Sequence, residues 1–124
     1  MQGRFIYITM TLLCITAAAT AQQTRIYTDP QADFNQAKEY FQKEQYSLAY
    51  PLFKELRNEM RSADRSNNNI TYDDVQFYTI ACGLLQNETF AAEEAKGFIV
   101  LNYNPSLTQR LSFHLAEYHF RKND

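Results

Sequence analysis

This chain has few of the glycine, histidine and cysteine residues from which phosphate-binding loops, metal sites and disulfide bonds are built. It has no tryptophan and only three glycines, three prolines, two cysteines and two histidines. Three scattered glycines exclude a glycine-rich phosphate-binding loop. Neither charge dominates, with 12 Lys and Arg against 14 Asp and Glu and no long run of either sign. Nucleic acids and anionic membranes are therefore disfavoured as partners, because binding to either needs a basic patch.

The amino-terminal 21 residues predict an export signal. Arg4 precedes an uncharged apolar run over residues 5–19, and the Ala-Thr-Ala at 19–21 has the small-x-small pattern of a cleavage site. The run is shorter than the roughly 20 residues that span a bilayer as a helix. We therefore expect a cleaved signal peptide over residues 1–21 and a location in the periplasm or cell envelope. The alternative is an uncleaved signal anchor, which would supply the only membrane contact.

Cleavage would leave a mature chain with a single thiol. Cys14 would leave with the signal, so Cys82 would remain alone and no internal disulfide could form. Removal of Arg4 would bring the net charge to −3, from 11 basic and 14 acidic side chains. The mature chain is long enough for one small domain with one hydrophobic core. Packing of helices has to hold that domain together.

Apolar spacing in the mature chain predicts five short helices. After a polar segment over residues 22–30, apolar side chains recur at helical spacing, and no stretch alternates as a strand would. Breaks are expected near residues 43–45 and in a polar loop over residues 62–69. Capping and proline chemistry predicts helix starts at Asp29-Pro30, Thr71, Thr89 and Ser106. The apolar stripe of the last helix is expected to comprise Leu111, Leu115, Ala116 and Phe120.

A ten-residue segment recurs near both ends of the mature chain. Residues 34–43 match residues 113–122 at their Phe, Ala, Phe and Lys positions. Residues 78–85 align with both segments in the same register. The aligned alanines are Ala37, Ala81 and Ala116, which are 44 and 35 residues apart. The second spacing is close to the 34 residues of a tetratricopeptide repeat, and the first is longer by about the length of the polar loop.

At these positions the chain resembles the tetratricopeptide family. The residues that carry the resemblance are Ala37, Tyr40, Tyr46, Ala49, Phe53 and Leu56 in the first repeat and Phe77, Ile80, Ala81, Leu84, Phe90 and Pro105 in the second. Asp33, Gln36 and Gly97 depart from the family pattern. The resemblance implies an all-α fold over residues 31–124, an α-solenoid of antiparallel helix pairs with about two and a half repeats. An unrelated helical bundle is the alternative.

In the tetratricopeptide family the first helix of each pair lines a groove that binds an extended peptide or a partner helix. Carried over to this chain, the resemblance predicts a contact face made of Phe34, Lys38, Phe41, Gln42, Tyr78, Cys82, Leu85, Phe113, Glu117 and Phe120. The alternative is that most of these aromatic side chains pack against the neighbouring repeat, because a small domain needs its large side chains in the core.

Residues that could carry catalysis or bind a metal do not form a recognisable set. His114 and His119 lie five apart on one expected helix, which does not place them on the same face, so no metal site is expected. Cys82 is either a nucleophile or, as we favour from its apolar surroundings in sequence, a buried small thiol. We expect no cofactor.

The function that fits these patterns is a non-catalytic interaction scaffold of the bacterial cell envelope. The short signal, Gln-rich start and aromatic-rich repeats are similar to those of exported proteins of Bacteroidetes envelopes. The expected partner is another protein or peptide, or further repeats of the same chain. One alternative is the amino-terminal segment of a larger envelope assembly or glycan-uptake protein. The other is a small exported enzyme, which would depend on Cys82 or His114.

Overall fold

The computed structural model describes residues 29–62 and 70–123, which form five α-helices. In chain order these are α1 (Pro30–Gln42), α2 (Tyr46–Ser62), α3 (Tyr72–Leu85), α4 (Ala91–Leu101) and α5 (Pro105–Lys122). The described residues contain no strand, so the predicted all-α class is confirmed. The predicted signal peptide, most of the polar amino-terminal segment and nearly all of the polar loop lie outside the described residues.

Local side-chain chemistry starts α1 and α3 where the sequence predicts. The Asp29 carboxylate accepts a hydrogen bond from the backbone N–H of Gln31 at 3.0 Å, with Pro30 in the first turn. Before α3, Thr71 and Asp74 form a capping box in which each side chain accepts from the other residue's backbone N–H, at 3.1 and 3.2 Å. These bonds satisfy amides that no helical carbonyl can reach.

The predicted starts of α4 and α5 are wrong by one or two residues. The fourth helix begins at Ala91, after an N-cap Phe90 whose side chain makes no capping bond, rather than at Thr89. The last helix begins at Pro105 rather than Ser106, because Asn104 accepts hydrogen bonds from the next free amides. An Asn cap followed by Pro is a stronger start than the serine that the sequence reading selected.

The turns after α1 and α3 share one backbone geometry. A residue in the left-handed region follows each helix, Glu44 at φ 59° and Asn87 at φ 60°. The N–H of the following residue then donates to the carbonyl five positions earlier, at 2.9 Å in both turns. This satisfies carbonyls at the helix end and reverses the chain, so that α1 leads into α2 as α3 leads into α4.

Helix α3 is the centre of the domain. It packs against each of the other four helices, whereas α1 packs against α2 and α3, and α5 packs against α3 and α4. A helix that is enclosed on all sides needs mostly apolar residues all round, and nine of the ten residues from Val75 to Leu84 are buried. The packing order follows chain order, as it does in stacked helix pairs. A continuing solenoid stays a prediction.

The buried stripe of α5 differs from the predicted one. Leu107 and Leu111 are buried against α3 and α4, with Leu115 partly buried beside them. Ala116 and Phe120, which were expected in the same stripe, point to solvent instead. The prediction was wrong because α5 carries apolar residues on two sides, and the packing of α3 and α4 selects the side with Leu107 and Leu111.

Candidate protein-binding surface

The structure separates the ten predicted contact residues by exposure. The buried ones are Phe34, Tyr78 and Cys82, with exposed fractions of 8%, 8% and 0%. The partly buried ones are Lys38, Phe41 and Leu85, and the exposed ones are Gln42, Phe113, Glu117 and Phe120. The set is therefore not one continuous surface. The exposed members on α5 remain available to a partner, whereas the buried members serve the core.

An aromatic cluster around Tyr78 joins the first three helices. The Tyr78 ring stacks on Phe53 with centroids 5.0 Å apart and meets the edges of Phe34 at 5.7 Å and Phe41 at 5.1 Å. Aromatic pairs at these distances and angles stabilise a core beyond their area burial. Phe34 and Tyr78 are therefore core residues in this structure, as the alternative reading of the sequence proposed, and are not offered to a partner.

The Cys82 thiol has no exposed surface. Its burial raises the pKa of the thiol to about 12. The thiol therefore stays protonated at neutral pH, and the protonated form is a poor nucleophile and a poor metal ligand. The structure supports the buried-thiol interpretation of Cys82.

The His114 side chain extends from α5 towards the aromatic residues of the core. Its ring centroid is 6.4 Å from those of both Phe41 and Phe77, and its Nδ1 atom is 3.5 Å from Glu117 Oε2 without a hydrogen bond to any group. Burial lowers the pKa of His114, and the nearby Glu117 carboxylate offsets only part of that effect. The imidazole therefore acts as a neutral packing group at pH 7. In the described residues, no group of three or more His, Cys, Asp or Glu side chains could hold a metal ion.

The side of α5 that faces away from the core carries three apolar residues at helical spacing. We call Phe113, Ala116 and Phe120 the outer face of α5. Phe113 is 65% exposed and Phe120 is 84% exposed. At 100° per residue the three side chains share one side of the helix, opposite Leu107 and Leu111. Covering each phenylalanine fully would contribute about 1.5–3 kcal/mol, so the outer face is suited to contact.

Two arginines that sequence reasoning did not single out attach α5 to α3. The Arg110 guanidinium lies over the Phe77 ring, 4.5 Å from its centroid. Arg121 Nη2 donates a hydrogen bond to the carbonyl oxygen of Leu84 at 2.8 Å, near the end of α3. A cation over a ring and a charged donor on a terminal carbonyl both favour one position of the helix. These two contacts hold α5 against α3 while the outer face points to solvent.

A second exposed apolar group lies where α4 ends. Val100, Leu101 and Tyr103 are 81%, 76% and 100% exposed. Leu101 also borders a cleft of about 340 Å³ between α3 and α4, whose floor includes Gly97. A Cβ atom added at Gly97 would meet nothing within 4 Å, so the cleft is open at this position. The sequence signal for this group was the apolar run at the end of the fourth helix.

Comparison with family models, curated proteins and solved structures finds no match to this chain. The resemblance to tetratricopeptide repeats therefore stays a prediction from the residues named above. Among the helices of the described residues, none is long and apolar enough to cross a membrane.

Proposed function

We propose that this chain is a non-catalytic protein-interaction scaffold of the bacterial cell envelope, and that the outer face of α5 is its contact surface. The observation that carries the proposal is the exposure of Phe113 and Phe120 on a helix whose opposite side is buried. Aromatic side chains, phenylalanine among them, are enriched in the buried centres of protein interfaces.

Charge and burial favour binding over catalysis. The thiol of Cys82 and the imidazole of His114 are the groups on which an enzyme would depend, and burial suppresses the charged form of each. The near-balanced charge of the chain favours a protein partner over a polyanion. The proposed export rests on the signal-like pattern of residues 1–21.

The second candidate is the amino-terminal segment of a larger envelope assembly or glycan-uptake protein. It is favoured by the resemblance of the outer face of α5 to the face of α1 that α2 covers, since further repeats would cover α5 in the same way. Both candidates place Phe113 and Phe120 in a protein contact. They differ in whether the covering helix belongs to a separate polypeptide.

Affinity capture with matched variants tests the proposal. The full chain with a tag after Asp124 is expressed in its source organism, and proteins that co-purify from the envelope are identified by mass spectrometry. We expect a specific partner to be lost from the Phe113→Ser/Phe120→Ser variant and retained by Phe90→Ser. Phe90 is a suitable control because it is 75% exposed but lies at the start of α4.

The captured protein is then purified and titrated against the wild-type chain. Direct binding that depends on Phe113 and Phe120 supports the scaffold. Capture that is indifferent to both phenylalanines would place the contact elsewhere and overturn the proposed surface.

A further inference from the structure

The pairing of α1 with α2 shows what kind of helix fits a face of this type. Both helices carry two aromatic residues seven positions apart, with an alanine three positions after the first. In α1 these are Phe34, Ala37 and Phe41, and in α2 they are Tyr46, Ala49 and Phe53. The spacing places the three side chains of each helix on one side.

The two patterns meet in antiparallel register. Phe34 contacts Phe53 with ring centroids 5.9 Å apart, and Phe41 contacts Tyr46 at 5.4 Å, both edge to face. Ala37 and Ala49 are each 0% exposed. An aromatic pair at each end and small residues between them allow the helix backbones to approach closely. The pattern is therefore complementary to a second copy of itself when the helices run in opposite directions.

The outer face of α5 repeats this pattern and stands uncovered in the described residues. Phe113, Ala116 and Phe120 have the same spacing as the α1 residues with which they align. The turn geometry also agrees, because Asn123 is left-handed at φ 58° seven residues after Ala116, as Glu44 is seven residues after Ala37. What α2 covers on α1 is exposed on α5.

We infer that the outer face of α5 binds an amphipathic helix of another polypeptide, antiparallel to α5, with an aromatic residue, an alanine and a second aromatic residue at positions i, i+3 and i+7. This inference rests on the proposed function and names the class of partner. The partner's first aromatic residue contacts Phe120, its alanine covers Ala116, and its second aromatic residue contacts Phe113.

Charges around α5 add to the description of the partner. The last turn of α5 contains Arg121 and Lys122, and a helix running antiparallel begins beside it. An acidic residue in the first turn of the partner is therefore favoured, both by these cations and by its own helix dipole.

The same geometry disfavours a second copy of α5 as the occupant. Contact between Phe113 of one copy and Phe120 of the other would place the pair's midpoint between residues 116 and 117. The two Glu117 carboxylates, exposed beside the outer face, would then come to the same level on the same side. Like charges at such a position oppose association.

A peptide from the chain itself provides the probe. Residues 44–62 contain the α2 pattern with Glu44 at the start, and a fluorescent version of this peptide is titrated against the full chain by anisotropy. We expect saturable binding with a gain of helical circular dichroism. Affinity should fall about tenfold or more in the Phe113→Ser/Phe120→Ser protein, as expected for loss of two aromatic anchors. A peptide with Ala49→Lys should not bind, and Phe90→Ser protein should bind normally.

The possible outcomes separate the inference from the function on which it rests. Binding that persists in the double variant would mean that the peptide replaces the protein's own α2, and it would overturn the inference. No peptide binding, together with envelope capture that depends on Phe113 and Phe120, would overturn the helix partner while the scaffold stands. Failure of both would overturn both.

Two further measurements keep the test decisive. Sedimentation that shows a dimer lost on Phe113→Ser/Phe120→Ser would make a second copy the occupant and overturn the inference. If the double variant unfolds at a lower temperature than the wild-type protein, Ala116→Lys is used instead. That substitution places a charge at the centre of the outer face and is expected to abolish peptide binding.

Discussion

Helices α1 and α5 carry the same apolar pattern in opposite surroundings. In α1 the pattern is covered by α2 and α3, so that Phe34 is 8% exposed, whereas its equivalent Phe113 in α5 is 65% exposed. One residue further along each helix the exposure is reversed. Asn35 of α1 is exposed, whereas its equivalent His114 of α5 is partly buried. An aromatic residue at a repeat position therefore becomes core or contact surface according to what covers it.

The largest expected effect comes from truncating equivalent phenylalanines. Phe34→Ala should lower the free energy of unfolding by about 3–5 kcal/mol, because it leaves a cavity beside Phe53 and Tyr78. Phe113→Ala should change it by less than about 1 kcal/mol, since the side chain is mostly in solvent. Urea unfolding followed by circular dichroism measures both. Equal losses would show that α5 is covered as α1 is.

Replacing the equivalent alanines by leucine should also change the free energy of unfolding unequally, but by a smaller difference than for the phenylalanines. Ala37→Leu inserts volume where α1 and α2 approach closely and should cost about 1–3 kcal/mol of unfolding free energy. Ala116→Leu points to solvent and should be within about 0.5 kcal/mol of wild type. Thermal and urea unfolding of the two variants provide the comparison. A destabilisation by Ala116→Leu that matches Ala37→Leu would contradict the open outer face.

Substitution of the N-cap residue should destabilise α1 and α5 equally, because the two helices differ in what covers their apolar faces and not in how they begin. Asp29→Ala removes the N-cap bond of α1 and Asn104→Ala removes those of α5. Each substitution should cost about 1 kcal/mol, the usual value for loss of a capping side chain. The control is Thr89→Ala, since Phe90 caps α4 without a side-chain bond. A cost for Thr89→Ala similar to the other two would show that α4 has a cap of its own.

The smallest expected effect is a pH dependence of stability that comes from His114, on the side of α5 that faces the core. Burial lowers the pKa of His114 in the folded chain, so the unfolded chain takes up a proton first as pH falls below the ordinary value of 6.5. Stability should therefore decline as pH falls from 6.5 towards the lowered pKa. In His114→Gln this part of the decline should vanish, and urea midpoints at pH 7.5 and 5.5 report it. Asn35→His, at the exposed equivalent in α1, should add none.

Sequence reasoning predicted those features that depend on neighbouring residues. The starts at Asp29-Pro30 and Thr71, the break after Gln42 and the five helices follow from free amides, proline geometry and apolar spacing. It succeeded less well at α4, where Phe90 precedes the helix without a side-chain cap, and at α5, where Asn104 and Ser106 competed for the cap. Asn104 prevailed over Ser106 because it directly precedes a proline.

The candidate surface was predicted only in part. Phe113 and Phe120 were named and are exposed, but Phe34 and Tyr78 were named for the same reason and are buried. A signal was present in α5, because apolar residues at 107, 111 and 115 and again at 113, 116 and 120 form two stripes rather than one. A helix with two stripes has two sides to bury, and only one of them meets α3 and α4.

The helical class and most helix boundaries follow from the sequence alone, because caps, turns and apolar spacing involve residues only a few positions apart. The recurring aromatic and alanine pattern is likewise visible in the sequence. Tertiary structure decided that α3 is enclosed, that Tyr78 joins three helices and that the outer face of α5 is open. Spacing places side chains on one side of a helix but does not say which neighbour covers that side. Packing between distant helices makes that choice, since each helix buries the side that its partners can reach.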